Sequence, residues 1–280
     1  MSVSSGVENL GSAIPFFTEH KVLTAIGMIT VLMLMNLRGV RESGNLFAIP
    51  TYAFVLGVFV MILWGIGRIV FGDEMRAPTA GYEIHQEVSG IGGFALVFLL
   101  LRAFSSGCAA LTGVEAISNG VPAFRKPKSK NAATTLLLLG TIAVTMLMSI
   151  LFLANKINLR FAEDPATQLY RNGQPVGDGY AQKTVIAQIS DSVFSNFPPG
   201  FYLVIGATML ILVLAANTAF NGFPVLASIL AKDGFLPRQL HTRGDRLAYS
   251  NGIVLLALCA VGLIIDRKST RLNSSHPYRS

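Results

Sequence analysis

Apolar residues in this chain cluster in long, sparsely charged runs separated by polar stretches, without the two-residue alternation that marks half-buried strands. Six runs stand out, at 22–37, 46–66, 94–124, 132–154, 201–231 and 247–265. A hydrocarbon core about 30 Å thick needs roughly 20 helical residues at 1.5 Å of rise each. The pattern therefore predicts an all-α integral membrane domain over residues 1–265, with six transmembrane helices. A transmembrane β-barrel needs short alternating segments, and the sequence has none.

The third run, FALVFLLLRAFSSGCAALTGVEAISNGVPAF at 94–124, holds Arg102, Glu115 and three glycines. A charge at mid-membrane depth costs roughly 2.5 to 3.5 kcal/mol on insertion scales, which points to binding or transport. On a helix over 105–119, Ser105, Cys108, Thr112, Glu115 and Asn119 fall within roughly 80° of one another, and Ala110, Val114, Ile117 and Val121 face the other way. Lipid cannot satisfy such a polar stripe, so it faces a bundle interior or a water-filled cavity. Gly107, Gly113 and Gly120 interrupt the helix around it, each costing about 1 kcal/mol relative to alanine. Unwinding near 112–116 would free carbonyl oxygens beside the Thr112 hydroxyl and the Glu115 carboxylate. That assembly suits a desolvated monovalent cation or an ammonium group, with Gly107 and Gly113 as hinges and Asn119 lining the path. Alternatively, the glycines serve close packing and Glu115 is a buried hydrogen-bonding residue. Arg102 cannot then be its direct partner, because 13 residues of straight helix span roughly 20 Å.

Charge placement gives the topology. Arg38 and Arg41 follow the first run; Arg125, Lys126, Lys128 and Lys130 follow the third; Lys232, Arg238, Arg243 and Arg246 follow the fifth. These loops are predicted to be cytoplasmic. The loops at 67–93 and 155–200 are longer, carry most of the acidic residues, and are predicted outside, so the first run passes from outside to inside. Only 13% of the 280 residues are charged, against about 25% in soluble domains, and the net +7 is divided among short loops. That distribution excludes a nucleic-acid-binding face.

Both ends depart from this scheme. Residues 1–10 have no charged leader pattern, yet lead into a run that starts outside, so a preceding span is expected. Arg267, Lys268 and Arg271 follow the sixth run on the wrong side. The string DRKSTRLNSSH at 266–276 back-translates to a common sequencing-adapter sequence, and 266–280 is expected to be a non-native tail, a point the codons decide.

Little else suggests chemistry. Cys108 and Cys259 lie in apolar runs, where thiols behave as small hydrophobes, and the four histidines lack ligand spacing. Neither a disulfide nor a bound metal is expected, apart from a transported monovalent cation at Thr112 and Glu115. No run contains a Ser/His, Cys/His or HExxH arrangement, so neither an enzyme nor a cofactor is predicted. Asn217, Thr218, Asn221 and Pro224 put polar groups and a kink on the fifth run, and pathway lining and helix-to-helix hydrogen bonding explain them equally well.

The string SSGCAALTGVEAISNGVPAFRKPKSKNA, with NLRGVRESGNLFAIPTY at 36–52 and ASILAKDGFLPRQL at 227–240, resembles the amino acid/polyamine/organocation (APC) superfamily. It is most similar to the branch that imports potassium with protons. The resemblance implies a five-plus-five inverted-repeat (LeuT-like) fold with broken first and sixth helices, of which this chain would supply helices four to nine as a fragment. It matches Thr112 and Glu115 to cation-coordinating residues, and Ser2 to a third-helix hydroxyl ligand; ligands from the first helix and an acid of the third have no counterpart here. The implied parent is a secondary transporter of the bacterial cytoplasmic membrane working by alternating access. Its partners would be the lipid bilayer, the transported cation and protons. An amino acid or other organic amine is the alternative cargo, a membrane scaffold or inactive fragment the alternative class, and monomer and homodimer both stay open.

Overall fold

The structure, a computed structural model, describes residues 2–38, 44–84, 93–108, 114, 117–118, 120–162, 164–177, 179–240 and 249–274. In chain order the elements are α1 (Ser2–Ala13), α2 (Pro15–Glu19), α3 (Lys21–Leu37), α4 (Gly44–Val70), β1 (Glu83–Ile84), α5 (Phe94–Cys108), α6 (Lys128–Lys156), α7 (Pro165–Gln168), β2 (Leu169–Arg171), β3 (Gln174–Pro175), α8 (Val185–Val193), α9 (Pro198–Lys232) and α10 (Ser250–Ser274). They form two compact units, Met1–Ala77 with Ala181–Ser280, and Pro78–Tyr180.

Each of the six apolar runs carries a helix. Among the described residues three helices, Ala48–Val70, Lys128–Lys156 and Pro198–Lys232, are long and apolar enough to cross a bilayer, while Lys21–Leu37, Leu96–Ser105 and Ser250–Asp266 are shorter apolar helices. Prolines set several starts: Pro15 and Pro198 stand in first turns, where the missing N–H has no partner to lose. Large side chains such as Leu63 and Trp64 of α4, Leu137 and Met148 of α6, and Leu203 and Leu226 of α9 are exposed. Hydrophobic residues all round a helix mark a surface that lipid covers.

In the first unit, helix directions alternate as the charge pattern predicts. Gly57 of α4 lies against Leu203 of α9, where a Cβ would stand 3.3 Å from the leucine Cδ2. Arg68, near the end of α4, reaches Ser192 and Val193 just before α9 begins, so the two helices are antiparallel. Gly252, near the start of α10, meets Pro224 late in α9, and Asn251 Nδ2 donates to the Gln239 carbonyl at 2.7 Å. Helix α10 therefore runs back along α9. Its far end, at Ile264, shares a cleft with Lys21, Val22 and Ala25 at the start of α3, so α3 runs parallel to α9. The core here is Val3, Val7, Ala25, Ile29, Leu32, Phe220, Ile253 and Ala257.

Two features depart from the sequence reading. Helix α1 lies outside the six runs, because only one of its faces is buried, through Val3, Gly6, Val7, Asn9 and Gly11. The chain is mostly helical as expected, but the second unit adds short strands: β1, β2 and β3 form an antiparallel sheet, with Glu83 opposite Tyr170 and Arg171 opposite Gln174. The hairpin turns at Asn172 and Gly173, both with positive φ (54° and 77°). An Asn-Gly pair adopts that conformation readily and so selects a tight hairpin over a coil.

Candidate functional site

Thr112, Glu115 and Asn119 of the predicted polar stripe, and the hinge glycine Gly113, lie outside the described residues. Gly107 lies near the end of α5, with nothing within 4 Å of the position a Cβ would take. Arg102 is on the same helix, and Ser2 opens α1, half-buried. Asn217, on α9, meets α3.

That contact is specific. Asn36, in the last turn of α3, donates from Nδ2 to Asn217 Oδ1 at 2.7 Å and to the Leu32 carbonyl at 2.8 Å. Both amides are partly buried, where water competes less and a hydrogen bond is electrostatically stronger. The arrangement is the helix-to-helix bond weighed for Asn217 alongside pathway lining. Its partner Asn36 escaped the sequence reading, although a single amide closing an apolar run was the available signal. Seven residues after Asn217, Pro224 withdraws the N–H that would bond the Phe220 carbonyl. Gly252 fits this spot because a Cβ would stand 3.0 Å from that of Pro224.

Elsewhere in the first unit, a cleft of about 440 Å³ opens between α1, the α2–α3 junction and the end of α10. Glu8, Glu19, His20 and Lys21 line it with charges of both signs. Such a lining favours neither cations nor anions by charge alone. Among the described residues no three His, Cys, Asp or Glu side chains gather where they could hold a metal.

The second unit carries a small aromatic cluster outside its helices. Tyr82 and Tyr180 pack edge to face at 5.7 Å, and the Arg171 guanidinium lies 5.8 Å from the Tyr82 ring. Burial, and then the neighbouring Tyr82 phenol, push Tyr180 up to about 12, against an opposing pull from Arg171.

A family model described as amino acid permease matches residues 1–270. The chain is also 40% identical over 268 residues to the potassium transporter KimA of Bacillus subtilis (strain 168), a match covering 95% of this chain and 40% of that protein. The chain thus spans well under half the length of this curated relative. With three helices able to cross a bilayer and a family match over nearly its whole length, the chain is a multi-pass membrane protein that belongs to the amino acid permease family.

Proposed function

We propose that the chain forms part of a secondary transporter that takes up potassium, coupled to protons, across the cell membrane by alternating access. The observation that carries this reading is the 40% identity, along 95% of the chain, to a protein named as a potassium transporter. The chemistry of the third run supports it. A carboxylate and a hydroxyl three residues apart, among glycines in an apolar stretch, offer oxygen ligands to a cation that has shed its water. In this reading Thr112 and Glu115 are cation ligands, Glu115 doubles as proton acceptor, and Ser2 contributes a hydroxyl. Gly107 and Gly113 act as hinges, and Asn119 lines the path. Asn217 borders the path while fastening α9 to α3. The six runs are taken as membrane spans of a five-plus-five inverted repeat. Residues 266–280 take no part.

The full-length protein, expressed in cells lacking their own potassium uptake, tests the proposal. Growth at low potassium is expected with the unaltered protein, and at least tenfold slower potassium uptake with Glu115→Gln. Undiminished uptake would remove Glu115 from the mechanism. Uptake of labelled amino acids without potassium would replace the cargo by an organic amine, which the same oxygen-rich site could accept through its ammonium group.

A further inference from the structure

Helix α8 has only nine residues, yet other elements hold it at both ends. At its start, Thr184 Oγ1 accepts from the Ala187 amide at 3.3 Å and donates to Asn9 Oδ1 of α1 at 2.9 Å. The Thr184 amide donates to Ser12 Oγ, also of α1, at 3.1 Å. At its other end, Arg68 of α4 sends Nη1 to the Ser192 carbonyl (3.1 Å), the Val193 carbonyl (2.9 Å) and Ser195 Oγ (2.9 Å). Its Nε donates to Asp73 Oδ2 at 2.8 Å.

The last carbonyls of any helix lack intrahelical partners and carry partial negative charge. A guanidinium answers both deficits, with several donors in a rigid fork and a permanent positive charge. The Arg68 side chain is only 16% exposed, so water competes poorly for its hydrogens. Most of α8 is buried, including Gln188, Ser190 and Val193, so the helix cannot tilt without disturbing its packing.

We propose that Arg68 is a positioning residue that caps α8 from another helix. Capped by Arg68 at one end and bonded to α1 at the other, α8 is a strut that fixes the separation of α1 and α4 at this end of the first unit. The strut is independent of what the transporter carries.

Amide hydrogen exchange on the full-length protein in lipid nanodiscs tests this. In Arg68→Gln, exchange over residues 185–193 is expected to rise at least tenfold, and exchange over residues 9–13 of α1 to rise with it. Arg68→Lys keeps the charge but replaces the fork by a single ammonium. A rise of about threefold is expected, and this variant carries the test if the glutamine form does not fold. Wild-type exchange over 185–193 in a folded variant overturns the proposal. A rise in α8 with none over 9–13 refutes the strut, and an equal rise throughout α9 and α10 refutes the local cap.

Discussion

Gly200 sits where the first turn of α9 passes the Phe194 ring, and a Cβ there would fall 2.6 Å from Cδ1 and 2.8 Å from Cγ. The Phe194 ring is buried, so it cannot swing into open space. Gly200→Ala should therefore destabilise the protein by about 1 to 3 kcal/mol, the usual cost of forcing extra atoms into a packed interior. Thermal unfolding of the purified protein in detergent would show it, and an unchanged midpoint would mean that the ring relocates freely. Nothing local in the sequence marks Gly200, because its constraint comes from a ring six positions back, across the turn that precedes α9. Thr112 and Glu115 draw attention for the opposite reason: a polar side chain in an apolar run is anomalous wherever its partners lie.

At the scale of elements, periodicity and charge found the helices of the six runs and missed what depends on partners. Helix α1 is amphipathic and short, and becomes recognisable only when α9 covers its buried face. The β1–β2–β3 sheet joins strands of two and three residues, too short for any alternation to register, although the Asn172–Gly173 turn was visible. The pairing of α3 with α9 has a direct energetic test. A double-mutant cycle with Asn36→Ala and Asn217→Ala should give a coupling of about 0.6 kcal/mol, and no more than about 1.7 kcal/mol, as for other hydrogen bonds between membrane helices. Reversible unfolding in mixed micelles gives the four stabilities, and strict additivity would deny the bond any net contribution.

At the scale of the whole molecule, positive charges in alternate loops foretold the relative directions of α3, α4, α9 and α10. They could do so because positive charge gathers at alternate loop positions in membrane proteins, so loop charge marks direction without knowledge of packing. The division into two units was not legible, since it depends on which helices touch. The second unit has its own signature in pH. Tyr180 holds its proton up to about 12, against about 10 for an unfolded tyrosine, so the folded state binds that proton more tightly. The stabilisation is complete below pH 10 and is lost as pH rises from 10 through 12. Among the seven tyrosines, ultraviolet titration should reveal one ionising late that disappears in Tyr180→Phe, and the variant's stability should fall less between pH 10 and 12.

The close fit of Gly252 against Pro224 divides α9 into two lengths with different attachments. The length before Pro224 is fastened to α3 through Asn217, whereas beyond it Ala227 and Ala231 pack with Leu240 in a separate apolar cluster. A bend at Pro224 would swing that cluster as a lever arm, with Gly252 as its fulcrum, and leave the Asn36–Asn217 bond intact.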